Sequence, residues 1–216
     1  MTVRGGLWVM LVFTLTLLIE LPASWVPGLP ASGVAGSVWR GHAAQWGPVG
    51  PVEWAWRPWR LAAQVDAAFQ GQNWQVRIQG WPWQWRAEVQ ALGVNARVPA
   101  DYRLAGQWQG MLRMQGSGRV CRSAQGRLMV ADLALVEPWS FALGQGGVEV
   151  DCHNGWRLLG TLVAPGQHDI AVTADLLERR AQMELHVQPE AALAPLLRGV
   201  QWLGPQATRA QRWVTW

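Results

Sequence analysis

The sequence predicts a mainly β protein: a curved antiparallel sheet, an open barrel or sandwich-like, with one N-terminal transmembrane helix and one short C-terminal helix. Three observations predict it. Apolar residues recur at every second position in segment after segment, the signature of strands with one buried face. The connections are short and rich in glycine, with no alternating helices, which excludes a parallel α/β fold. The one long apolar run stands at the N-terminus of a chain of 216 residues.

The elements follow in order. Residues 1–26 read as a signal-anchor, with a single charge at Arg4 and then an apolar run from Leu7 to Val26. Leu7, Trp8, Val9, Leu11, Phe13, Leu17, Leu18 and Ile19 carry its apolar surface. As a helix that run is about 30 Å long, enough to cross a hydrocarbon core. A cleaved signal peptide competes, since Leu7 to Ile19 has the length of an h-region and Pro22-Ala23-Ser24 resembles a processing end. Against cleavage, Pro22 stands where a small residue is expected. Glu20, near the outer end, can reach the headgroups. With Arg4 on the cytoplasmic side, the bulk of the chain lies outside.

Residues 27–33, with Pro27, Gly28, Pro30 and Gly33, read as a linker, and 34–216 as one β domain. Within it Val52, Trp54 and Trp56 alternate with polar or small residues, as do Trp74, Val76 and Ile78. Trp81, Trp83, Trp85, Ala87 and Val89 form a further alternating set that puts three indoles on one face, with Pro82 favouring an edge or a strand start. Leu128, Val130, Leu133 and Leu135 form a strand with a bulge at Ala131-Asp132. Val148 and Val150 lead to Cys152, and Asn154-Gly155 pairs that strand with the one from Trp156 to Val163. Ile170 to Ala174 and Met183 to Val187 alternate around a turn at Arg179-Arg180. Glu190 to Val200 reads as the helix, with Leu193, Leu196, Leu197 and Val200 on one face. Eight to eleven short strands result, and the sheet must close, stack or curl to manage its edges.

Composition narrows the function. All 18 basic residues are arginine, and 17 tryptophans accompany one tyrosine and three phenylalanines, a skew that suits GC-rich codon usage. The net charge of +4 fits an anionic membrane surface or an acidic partner, yet only 15% of residues are charged and no basic block tracks a nucleic-acid backbone. Two cysteines, Cys121 and Cys152, stand in the exported part, and in an oxidising compartment they form a natural pair. Such a bridge is worth roughly 3 kcal/mol, and two buried free thiols are the alternative.

No catalytic constellation is present. His42, His153, His168 and His186 are scattered, and Asp151-Cys152-His153 splits across the two faces of a strand. Gly116-Ser117-Gly118 and Gly144-Gln145-Gly146-Gly147 precede no helix, so they read as turns, not phosphate cradles. No cofactor, metal or small-molecule substrate is expected. Trp54, Trp56, Trp81, Trp83 and Trp85 offer an apolar face that either fills the sheet core or lines a groove, with a few rim indoles at headgroup depth.

Leu21-Pro22-Ala23-Ser24, followed by Ser32-Gly33-Val34-Ala35-Gly36-Ser37-Val38-Trp39-Arg40-Gly41 and Ala43, resembles the start of the type II secretion system protein N family, also called general secretion pathway protein N. The layout is similar too: an N-terminal inner-membrane helix, a strand-rich periplasmic body, two cysteines about 30 residues apart and a closing Leu203-Gly204-Pro205. The chain departs in its tryptophan content and in its end at Trp216. In physical terms Gly33, Gly36 and Gly41 permit a sharp strand bend, and Trp39 is an apolar plug. The resemblance implies a non-enzymatic inner-membrane component of protein export that binds other secretion subunits and inner-membrane lipid. The alternative is a periplasmic lipid-binding or lipid-transfer groove of the AsmA-like kind.

Overall fold

A computed structural model describes residues 3–25, 30–47, 49–94, 103–137, 140–153 and 155–216. Helix α1 runs Val3–Ile19, 17 residues, so at 1.5 Å per residue it is about 25 Å long. Among the described residues no helix is long and apolar enough to cross a membrane. The expected helix from Leu7 to Val26 is therefore corrected: the helix starts earlier and stops earlier. Pro22 is the cause, because a proline disfavours the helical conformation of the residue before it. Ala23–Trp25 form a single 3-10 turn instead, and Val26 and the linker residues 27–29 lie outside the described residues. Inside α1 the hydroxyls of Thr14 and Thr16 donate to the carbonyls of Met10 and Val12, both at 2.8 Å, so neither is left unsatisfied.

The chain then forms β1 (Ala31–Ser32), β2 (Ala35–Gly36), β3 (Arg40–Ala43), β4 (Gln45–Trp46), β5 (Val52–Arg57), β6 (Ala62–Phe69), β7 (Gln72–Trp81) and β8 (Gln84–Val94). It continues with β9 (Arg103–Ser117), β10 (Val120–Glu137), β11 (Phe141–Asp151), β12 (Arg157–Ala164), β13 (His168–Asp175), β14 (Arg180–Val187), helix α2 (Leu193–Gly199) and β15 (Arg209–Thr215). Thirteen strands make one sheet in the order β15-β14-β13-β12-β11-β10-β9-β8-β7-β6-β5-β3-β2, and β1 pairs with β4 alone. Every pairing is antiparallel. The sheet is an open meander: β15 and β2 stand at its two ends and do not meet. The fifteen strands described exceed the eight to eleven short strands expected, in part because alternation alone does not detect the two-residue strands β1, β2 and β4. Nor are all of them short, since β9 and β10 have 15 and 18 residues.

The register sets one apolar face. Trp54 lies opposite Val65, Val65 opposite Val76, Val76 opposite Val89, and Val89 opposite Leu112. On the other half Leu128, Val148, Gly160, Val172 and Met183 continue the row. The opposite face is polar, with ion pairs Arg113 to Glu88 and Arg127 to Glu149 crossing adjacent strands. The sheet curls toward its apolar face. Trp85 of β8 stacks on Trp156, just before β12, at 5.6 Å between ring centroids, whereas four strand spacings in a flat sheet would part those positions by about 19 Å. The bulge expected at Ala131-Asp132 is present: pairing to both neighbours shifts there, and Asp132 has φ of 51°.

Three local expectations are corrected. Trp81, Trp83 and Trp85 do not share a strand, because Pro82 and Trp83 turn the chain between β7 and β8. Gly144 to Gly147 lie inside β11 and are not a turn; Gly144 has φ of +91° where β10 and β11 shift register. Helix α2 begins at Leu193 and not at Glu190. It covers one end of the sheet, where Ala194, Leu197 and Leu203 pack with Ala191 and Val187. Arg212 of β15 donates to the carbonyls of Gln201 and Trp202, at 2.8 and 3.0 Å, and so caps the chain leaving that helix.

Candidate functional site

The apolar face is the natural place to look for a site, and its residues come from strand alternation alone. Between β9 and β13 it holds a cavity of about 170 Å³ lined by Trp108, Val130, Leu133, Val148, Leu162 and Ile170. Trp74 closes on Trp108 edge to face, with centroids 5.1 Å apart. Sequence reasoning missed Trp108 and Trp74 as partners, since they stand on β7 and β9 with β8 between them. The contact spans the intervening strand and is not visible in local alternation.

The glycine-rich motif forms the β2–β3 corner. Gly33 and Gly36 have φ of +62° and +89°, a region open to glycine. Gly41 lies beneath the indole of Trp54; a Cβ there would stand 2.5 Å from its Cζ2 and 2.6 Å from the carbonyl of Ala35. Trp54 Nε1 donates to the carbonyls of Val38 and Ser37, at 3.2 and 3.3 Å, so the indole staples the turn to β5. Trp39 contacts Trp56 at 5.2 Å between centroids, and Trp54 meets Trp46 edge to face. Trp39, Trp54, Trp56 and Trp59 border an open hollow of about 750 Å³ that also reaches Arg40, Glu53 and Asp66.

Trp81 and Trp83 stack at the β7–β8 turn, 4.9 Å apart and nearly parallel, and both are exposed. Trp85 is separate from them. It covers Gly116, donates from Nε1 to the carbonyl of Gly118 at 3.0 Å, and stacks on Trp156, whose Nε1 donates to the carbonyl of Arg119 at 2.7 Å. Beside this pair Cys121 and Cys152 are joined as a disulfide, with Cα atoms 5.3 Å apart. Two indoles and one covalent link thus tie the β9–β10 hairpin to the β11–β12 connection.

Asp151 and His153 flank Cys152. The backbone N–H of His153 donates to Asp151 Oδ1 at 2.9 Å and its ring Nδ1 lies 2.6 Å from the same oxygen. Those two bonds hold the Asp151 carboxyl below its ordinary range. The arrangement is a local turn clamp, since Cys152 is spent in the disulfide. Among the described residues no group of three or more metal-ligating side chains comes together.

The anchor residues are unlike the rest. Trp8, Val9, Leu11, Phe13 and Leu17 are all exposed, and the run 8–13 covers more than a full turn, so among the described side chains of α1 none is covered by protein. The side chains of Leu7, Leu18 and Ile19 lie outside the described residues.

The last feature is an open edge. The bonds Val187 N–H to Thr208 O and Trp216 N–H to Arg179 O fix the phase of the β14–β15 ladder. Even-numbered residues of β15 therefore bond to β14, and Arg209, Gln211, Trp213 and Thr215 turn their N–H and C=O groups outward. The other end of the sheet offers only the two residues of β2.

Compared with known proteins, residues 27–214 match the family model described as type II secretion system (T2SS), protein N. No curated protein and no solved structure matches the chain. The chain belongs to the type II secretion system protein N family. Membership marks it as a component of type II secretion and implies contact with other components of that system.

Proposed function

We propose that the protein is a non-enzymatic adaptor of type II secretion, held at the inner membrane by α1 with its sheet in the periplasm, and that it binds another secretion component by strand addition to β15. The outward N–H and C=O groups of Arg209, Gln211, Trp213 and Thr215 carry the reading. A partner strand laid there gains a ladder of backbone bonds, each worth about 1 kcal/mol net. The disulfide suits an oxidising compartment. The uncovered apolar surface of α1 suits lipid, and a helix shorter than the bilayer core is accommodated by local thinning at modest cost.

The test is Gln211→Pro in the full chain. Proline removes an outward N–H and leaves the bonds to β14 intact, as edge strands tolerate. Co-isolation of secretion components should fall about fivefold or more, from one bond of about 1 kcal/mol plus the ring's obstruction, and secretion should fall with it. Undiminished co-isolation and secretion would sink the edge-strand reading.

A second reading is favoured by one observation, the cavity on the apolar face: an acyl chain sheltered there. At about 170 Å³ it is smaller than the roughly 300–1,000 Å³ of most small-molecule sites, which ranks this reading below the adaptor. Native mass spectrometry of the protein freed from detergent decides, with copurified phospholipid that a cavity-filling Val148→Trp displaces expected only for the groove.

A further inference from the structure

We propose that the end of the sheet beside α1 is a membrane-docking rim that seats on anionic phospholipid headgroups; this rests on the reading that α1 enters a bilayer. Strand direction places the parts. Because the meander alternates, the β5–β6, β7–β8, β9–β10, β11–β12 and β13–β14 connections and the end of β15 all lie at one end of the strands. The turn from Ser37 to Trp39 lies there too, since Trp56 N–H donates to the carbonyl of Trp39. That turn receives α1: Pro22 bridges to Ser37, and Val38 N–H donates to the carbonyl of Leu21 at 3.0 Å. Only Glu20 separates the last residue of α1 from Leu21. Two residues reach at most about 7 Å, so a bilayer holding α1 must meet this end of the sheet.

The residues displayed there fit a headgroup layer. Trp59, Trp81, Trp83, Leu177, Trp213 and Trp216 are all exposed, Trp59 to 77%. Tryptophan is the side chain that concentrates at membrane interfaces, where an apolar ring and a wet N–H are both satisfied. Arg57, Arg60, Arg119 and Arg179 stand in the same connections. Of the acids at this end Glu20 is exposed beside α1, whereas Asp151 accepts from His153, Asp175 accepts from the N–H groups of Leu177 and Glu178, and Glu178 pairs with Arg180. Those four arginines have no carboxylate partner among the described residues. At the opposite end Trp46 and Trp202 are exposed and Arg198 and Arg209 have no carboxylate partner among the described residues, while the connections 70–71 and 165–167 carry no aromatic residue. Among the described residues, exposed indoles and arginines without a carboxylate partner are thus more numerous at the end that α1 directs toward lipid.

The test uses the full chain in nanodiscs of phosphatidylglycerol and, separately, of phosphatidylcholine, read by amide hydrogen exchange over 57–62, 81–84 and 176–180. These turns should exchange more slowly in phosphatidylglycerol than in phosphatidylcholine. The double variant Arg60→Glu, Arg179→Glu should lose that difference, since each arginine near an anionic surface is worth about fivefold. Unchanged protection of β9 and β10 in the variant certifies its fold, and the lipid comparison on the unaltered chain stands without it. Turns that exchange alike in both lipids overturn the rim. The amides of α1 report separately on anchoring: protected α1 with unprotected turns leaves the anchor standing and removes the rim, and lipid-dependent turns with unprotected α1 do the reverse.

Discussion

Gly41 shows how a single residue sets a corner of this protein. Its missing side chain lets Trp54 lie against β3, and a methyl there would press on both the indole and the Ala35 carbonyl. Gly41→Ala should therefore cost about 1–3 kcal/mol by overpacking, read as a lower urea midpoint at unchanged slope. Gly116 holds the same relation to Trp85. The two glycines differ in how visible they are. Gly41 stands in a motif that the sequence displays, whereas Gly116 reads only as part of a Gly-Ser-Gly turn until Trp85 is seen lying over it. At Asp151 the lowered carboxyl has a definite sign. Its two bonds to His153 stabilise the fold above the ordinary aspartate range, and that contribution is lost as pH falls through the lowered folded value. An NMR titration of the Asp151 carboxyl should place its midpoint below that of an unstructured aspartate, and the displacement should vanish in acid-unfolded protein.

Among the elements, the disulfide and α2 hold the two ends of the sheet. The bridge closes a separation of 31 residues, so in the chain-entropy picture Cys121→Ser with Cys152→Ser should lower stability by about 3–4 kcal/mol, measured as the free energy of denaturant unfolding. At the other end Leu197→Ala removes a buried side chain from the α2 cluster and should cost about 2–5 kcal/mol. The pairing of cysteines was legible because only two exist. The length of α2 was not: Glu190 and Pro189 look like a helix start, but the first bonds formed there are single turns, from Ala191 N–H to Gln188 O and from Ala194 N–H to Ala191 O. The N-terminal helix was legible in kind and misplaced in extent. Hydropathy continues through Leu21 and Val26, while backbone geometry at Pro22 does not let the helix follow.

For the whole molecule, the proposed membrane role of α1 rests on Trp8, Val9, Leu11, Phe13 and Leu17, which are exposed and whose transfer out of water is favourable. Replacing residues 1–26 with a cleavable export signal should release the protein from the membrane fraction, and secretion should weaken strongly as the effective concentration at the inner membrane is lost. What the sequence determined by itself is the mainly β class, the antiparallel sense of the sheet, the alternating faces and the family resemblance, because each is a property of near neighbours along the chain. What only the tertiary structure decided is that the sheet stays open, that it curls until Trp85 meets Trp156, that Trp74 meets Trp108 across β8, that β15 keeps an unpaired edge, and that the tryptophan-bearing turns gather beside α1. Those features depend on how twist and bulges accumulate over thirteen strands, and no local pattern encodes such a sum.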